Sequence, residues 1–397
     1  MLNIEEPVTD KTAFLKLGFR PFFSAAMLYA VVAIVLWMGM YFLGWTLPAE
    51  SYGVVSWHAH EMVFGFGMAV IGGFLLTAEM NWTGVRTVTG WPLLVLALLW
   101  LAGRVLAFAV TDAGLGLLAA TDLLFDLLLT AALFHPIVKA RQWHQLGFPI
   151  QIALMALANL LFYLGLTGLW PAGLHVGLYA GFYLVLSVIF TMGRRVIPFF
   201  IEKGLGCPFT ATNYKWLDIS TVVLFAVFVL ADLAAPTALL TAALAAVLFL
   251  LHAWRLKGWY HPGIWNKTLL WTLYLGYLWI VLGFLLKAIS IVAGVSPYLA
   301  IHAFAYGGIG LVTIGMMARV TLGHTGRNVF SPPAILLPIF LLLAAGAVVR
   351  VILPLLLAGQ YDLWIGLSQL LWAAAFLGMA LLYLPMLIKV RIDGRPG

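Results

Sequence analysis

The stretch 57-WHAHEM-62 sets two histidines and a glutamate at the start of a long apolar run. Such groups are costly in lipid, so they face a protein interior, pair with one another or bind something. Neutral imidazole is a metal ligand that suits both haem iron and copper. Two further histidines open apolar runs, in 175-HVGLYAG-181 and 302-HAFAYGG-308. On a helix, His58, Glu61 and Met62 share one face, while His60 points elsewhere. Gly65, Ala69 and Gly72 continue that face. A histidine above a track of small residues suits a flat macrocycle, and it equally suits close packing of another helix. Two histidines from different helices, His58 and His302, are the expected axial ligands of a haem b. His60 and His175 are then left for copper, with Tyr179 or Met62 near. Arg104, Lys287 and Arg350 are candidate partners of haem propionates, because guanidinium and ammonium groups pair with carboxylates.

The elements that would hold these residues are membrane spans. The chain has 397 residues, 64% of them hydrophobic and 9% charged, with mean hydropathy +1.07. So much apolar surface needs a bilayer as its solvent. Windows of about 20 residues predict twelve spans. They run near 22–44, 57–78, 91–110, 115–134, 147–168, 173–193, 216–235, 237–254, 268–292, 297–318, 334–357 and 363–388. Positive charge tests that reading independently, since loops rich and poor in Lys and Arg alternate strictly. Of the 21 basic residues, from Lys11 to Arg395, all but Arg104, Lys287 and Arg350 fall on one side. Both termini are therefore expected to face the cytoplasm of a multi-pass bacterial inner-membrane protein. The N-terminal tail is mixed in charge and lacks an apolar core directly after a basic start, so no signal peptide is expected. The net charge of +7 is spread over short loops and points to orientation rather than to nucleic acid. With Cys207 alone, disulfides and thiolate metal centres within one chain are excluded.

Spans two, six and ten each begin with a histidine, at separations of 117 and 127 residues between His58, His175 and His302. The last two share His-x-x-x-Tyr-small-Gly, and the first has Met62 in place of the tyrosine. Their inner ends echo one another as well, in 81-NWTGVR-86 and 323-GHTGR-327. The expectation is a single all-α transmembrane domain, 1–397, made of three parallel four-helix units at about 19–140, 141–260 and 261–397. Arranged around a pseudo-threefold axis, the three histidines would converge near the outer side.

Glu61, Arg104, Asp122, Asp126, Lys287 and Arg350 also fall within spans, most of them in the outer half. Taken singly, a structural ion pair such as Arg104–Asp122 explains each. Gathered at one depth, they build a site. At the inner ends, Asn81, Arg194, Arg195, Arg319, His324 and Arg327 suit an anion or a proton path, but serve equally as positive-inside anchors. His135, His144, His252 and His261 are expected to be interface residues.

At these residues the chain resembles the NnrS family of bacterial inner-membrane proteins. The resemblance spans nearly the whole chain, through 19-FRPFF-23, 57-WHAHEMVFGF-66, 81-NWTG-84, 195-RVIPFF-200 and 319-RVTLGHTGR-327. It implies a twelve-span protein containing haem and copper that accompanies denitrification and resistance to nitric oxide and nitrosative stress. A second likeness is to haem-copper oxidases and nitric oxide reductases, which also group twelve spans in fours. Their second helix has a His-small-x-x-Met pattern like 58-HAHEM-62, and their sixth a His and Tyr four apart, like His175 and Tyr179. Their seventh helix supplies adjacent copper-ligating histidines, and span 216–235 here has none. The complete oxidase centre is therefore absent, and oxygen reduction is not expected.

The expected function is a haem- and copper-binding membrane protein in nitric oxide metabolism, with an oxidoreductase among the activities open to it. The electron donor is unspecified. The alternative is a transporter of a metal or metal–nitrosyl species through the same polar cluster, although three parallel repeats differ from the inverted symmetry common in transporters. A third reading is an assembly protein whose histidines are structural.

Overall fold

The computed structural model describes residues 13–394, so the terminal charges Lys11 and Arg395 lie outside the described residues. The described residues are overwhelmingly helical, as a chain in lipid must satisfy its backbone polar groups internally. We label the helices α1 (Phe19–Leu43), α2 (Val54–Thr83), α3 (Trp91–Leu106), α4 (Leu115–Ala140), α5 (Gly147–Leu166) and α6 (Ala172–Gly204). There follow α7 (Lys215–Ala234), α8 (Leu239–Gly258), α9 (Thr268–Ala293), α10 (Pro297–His324), α11 (Leu336–Leu356) and α12 (Tyr361–Ile388). Among the described residues, eleven apolar stretches are long enough to cross a membrane, and α3 is a shorter apolar helix of 16 residues. The protein is a multi-pass membrane protein whose helices coincide with the twelve expected spans.

Local chemistry sets many of the boundaries. α1, α2 and α9 end on Gly44, Gly84 and Gly294 at φ of 72°, 69° and 67°, the left-handed cap that glycine adopts without a Cβ penalty. Proline stands in the first turn of α3 and of α10, where its missing N–H costs nothing. The largest difference from expectation lies at inner ends. α6 continues to Gly204, carrying Arg194, Arg195 and Pro198 within the helix, and α10 continues to His324. Hydropathy marks where charge begins, whereas a helix stops only where its backbone does.

Burial separates the helices. The apolar windows of α2 and α10 are 83% and 78% buried, against 28% for α7. The helices bearing His58 and His302 are thus interior, while α7 presents Val222, Val223 and Leu230 outward. α2 and α10 share a second feature. Directly after their histidines both widen into a π-helix, at Glu61–Gly67 and Ala303–Gly310. Such widenings are rare and gather at functional sites. α6, the third member of the proposed repeat, is an unbroken helix of 33 residues.

The chain divides into two compact units. The first holds residues up to Val185 with 317–329 and 376–397, and the second holds 186–316 with 330–375. The arrangement in three units about a common axis remains a proposal drawn from the repeat.

Candidate functional site

In the first unit the spans' polar residues form one buried network. His60, Glu61, Arg104, Asp122, Asp126 and Asn159 are each at most 3% exposed. Arg104 lies at its centre, with Nε 2.6 Å from Glu61 Oε2 and Nη2 donating to Asp122 Oδ1 at 2.6 Å. The Tyr29 hydroxyl donates to the same Glu61 oxygen. Asn159 Nδ2 donates to Asp126 Oδ2 at 2.8 Å and to Asp122 Oδ2 at 3.1 Å, and Tyr163 also donates to Asp122. With its amide hydrogens committed, Asn159 can only accept through Oδ1. His60 Nε2 therefore carries a hydrogen and donates across 2.9 Å. His60 Nδ1 lies 2.9 Å from the Tyr52 hydroxyl and 3.1 Å from Glu61 Oε1.

Small residues make the room. A Cβ at Gly103 would stand 2.9 Å from Asp122 Oδ1, and one at Gly65 would stand 2.9 Å from Glu61 Oε2. Trp100 Nε1 donates to the Gly65 carbonyl at 3.0 Å, and Arg104 Nη1 to that of Phe64 at 3.3 Å, both inside the π-helix. Side chains of neighbouring helices thus fill the Gly65–Gly72 track, with Leu129 against Gly72. These contacts are those of close helix packing.

The π-helix also redistributes the histidines. His60, not His58, joins Glu61, and both its ring nitrogens are engaged within the network. His58 instead stacks on Trp37, with centroids 4.4 Å apart at 15°. His175 is exposed and lies against Tyr179 at 4.4 Å, and Met62 is half-buried. The expected Arg104–Asp122 pair is present, now shared with Glu61.

In the second unit, His302 Nδ1 lies 2.7 Å from the Tyr298 carbonyl, which can only accept. That bond places the hydrogen on Nδ1 and the lone pair on Nε2, where Arg350 Nη2 stands at 3.1 Å. Arg350 is 8% exposed and its Nη1 has no hydrogen-bond partner. Lys287 pairs with Asp232 at 2.5 Å and donates to the Pro236 carbonyl at 3.3 Å.

Several residues at the inner ends tie the chain together. Buried Arg20 donates at 2.8 Å to the carbonyls of Leu387 and Lys389, tying FRPFF to the end of α12. The His324 ring meets Phe19 at 5.4 Å, and its carbonyl accepts from Arg391. Outside the spans, Arg391 is held above the usual guanidinium range by its hydrogen bond to Asp393. Gly326, at φ of 78°, turns GHTGR, and a Cβ there would lie 2.8 Å from Asp393 Cγ. Arg327 makes a long contact of 3.4 Å to the Thr325 carbonyl. Asn81 and Arg195 are exposed, and Arg319 is buried.

Reading by residue missed several participants. Asn159, Tyr29, Tyr52 and Tyr163 complete the first network, and an amide between two aspartates on paired helices is the one signal that pointed there. His252, expected at an interface, is fully buried at 0% exposure. Its companions are Arg255, three residues on, and Tyr277.

A family model described as NnrS protein matches residues 13–391. No match is found among the curated proteins.

Proposed function

The chain belongs to the NnrS family, and from that premise we propose that it is a haem-binding protein of the bacterial inner membrane acting in nitric oxide metabolism or the nitrosative-stress response. One observation carries this reading. His302 is held by a backbone carbonyl in the tautomer whose Nε2 can bind iron, at the mouth of a π-helix in a largely buried helix. A carbonyl on the far nitrogen is the usual second partner of a ligating imidazole. Arg350, beside Nε2 and with an unused donor, suits a propionate carboxylate. For haem to bind here, the Arg350 guanidinium that now donates to Nε2 would swing to a propionate and free the lone pair for iron. When bound, haem supplies an iron that takes up nitric oxide and changes oxidation state.

The chain's own residues do the rest. The Tyr298 carbonyl orients the ring, and the Arg350 guanidinium offers charge. Copper has less support. Among the described residues no group of three or more His, Cys, Asp or Glu side chains is placed to hold a metal. Copper enters the proposal only through smaller sets such as His175 with Tyr179.

An optical spectrum and metal analysis on one detergent preparation test the reading. The expected result is red protein with a haem b spectrum that shifts under nitric oxide. Haem should be lost in His302→Ala while the protein still inserts. A full Soret band in His302→Ala would overturn the ligand assignment. Colourless protein with stoichiometric metal and uptake in proteoliposomes would favour the transporter instead.

A further inference from the structure

The buried network of the first unit holds three carboxyls, Glu61, Asp122 and Asp126, each 1% exposed. Against them stand Arg104 on α3, 3% exposed, and His60 on α2, fully buried. The other polar groups packed around them are neutral: Tyr29 on α1, Asn159 and Tyr163 on α5, and Tyr52 beside His60. Even an imidazolium at His60 leaves two cations facing three acids. Among the described residues, one carboxyl of the network therefore lacks a counter-charge in every assignment of the hydrogens.

The contacts identify which one it is. Glu61 has Arg104 Nε at 2.6 Å and the Tyr29 hydroxyl on one oxygen, and His60 Nδ1 at 3.1 Å from the other. Asp122 has Arg104 Nη2 at 2.6 Å, the Tyr163 hydroxyl and one Asn159 hydrogen. Asp126 has a single neutral donor, Asn159 Nδ2 at 2.8 Å from Oδ2, and its Oδ1 has no hydrogen-bond partner. A buried charge without a partner is expensive, so such a group gains a counter-ion or is neutralised. A metal ion needs several ligand atoms around one point. Among the described residues, no group of three or more His, Cys, Asp or Glu side chains is placed to hold one. A proton needs one oxygen and no cavity. The neutral acid still leaves one polar atom unpaired, which costs less than the bare charge.

We propose that Asp126 is a proton-binding site within the ion-pair network, taking up and releasing one proton while Glu61 and Asp122 stay ionised against Arg104. Uptake turns the surplus carboxylate into a neutral acid, and release adds one negative charge to the network. Asn159 carries that change onward. Its amide hydrogens hold Asp126 and Asp122 together, and its Oδ1 accepts from His60 Nε2 at 2.9 Å. The site goes beyond the haem reading and needs no cofactor.

The test uses the full chain in detergent, with ¹³C at the side-chain carboxyl of aspartate, read by infrared spectroscopy in neutral buffer. The label separates aspartate from glutamate, including buried Glu79, whose two oxygens also have no hydrogen-bond partner. The expected result is a protonated-carboxyl band that carries the label, shifts down in heavy water and disappears in Asp126→Asn. Because asparagine copies the shape of the neutral acid, Asp126→Asn should also unfold close to the parent's temperature. Asp122→Asn strips a charge from Arg104 and should unfold several degrees lower or fail to fold. Only ionised aspartate in the labelled parent would overturn the proposal. So would a band that ignores heavy water or survives Asp126→Asn, or a loss of stability in Asp126→Asn as large as that in Asp122→Asn.

Discussion

Each unit of the molecule buries one histidine completely beside phenylalanine rings and sets a tyrosine hydroxyl at its Nδ1. In the first unit, His60 lies 4.6 Å from Phe162 and 5.0 Å from Phe64, with Tyr52 at Nδ1. In the second, His252 lies 4.5 Å from Phe190 and 5.4 Å from Phe284, with Tyr277 at Nδ1. The difference is at Nε2. Asn159 accepts from it in the first unit, and it has no hydrogen-bond partner in the second. The same building block thus ties helices through both ring nitrogens in one place and through one in the other. A hydrogen-bonded polar network fixes helices against one another, whereas a buried nitrogen without a partner adds no such tie.

That contrast can be broken experimentally, most severely at Arg104. Arg104→Ala strips the cation from Glu61 and Asp122 and should cost about 3–5 kcal/mol, the range for removing one partner of a buried pair. Thermal unfolding in detergent would read it, and a loss below about 1 kcal/mol would show that the carboxyls are compensated elsewhere. Next comes His60→Phe, which leaves Asn159 Oδ1 and the Tyr52 hydroxyl without their partner. On the order of 2–3 kcal/mol should be lost in the same assay.

Gly103→Ala probes the crowding that makes room for the network. With a Cβ 2.9 Å from Asp122 Oδ1, it should cost about 1–3 kcal/mol, and a neutral outcome would mean that α3 can shift freely. The smallest effect is expected in the second unit. The double change His252→Phe with Tyr277→Phe removes donor and acceptor together, so stability should stay within about 1 kcal/mol of the parent. A loss as large as that of His60→Phe would erase the distinction between the two histidines.

Much of the fold was legible because each helix in a bilayer announces itself. Spans end where charge begins, and the twelve expected segments each find a helix. The Arg104–Asp122 pair was legible for a similar reason, since opposite charges in neighbouring spans have little else to pair with. The rest of the site was not. A regular helix puts His58, Glu61 and Met62 on one face, and that rule fails once Glu61–Gly67 widens into a π-helix. His252 was misjudged because its distance from a span's end says nothing about which side its helix buries. Arg255, three residues away on the same helix, was the available hint.

Composition and charge order by themselves determined a polytopic helical protein, since apolar length and the spacing of Lys and Arg act locally and need no partner. The motifs determined the family. Only the tertiary structure decided which imidazole joins the carboxylates, which is held by a backbone carbonyl, and which lies among phenylalanine rings. Those outcomes depend on the side chains that other helices bring within 3 Å, and helix-to-helix packing is not written in the order of residues along any one span.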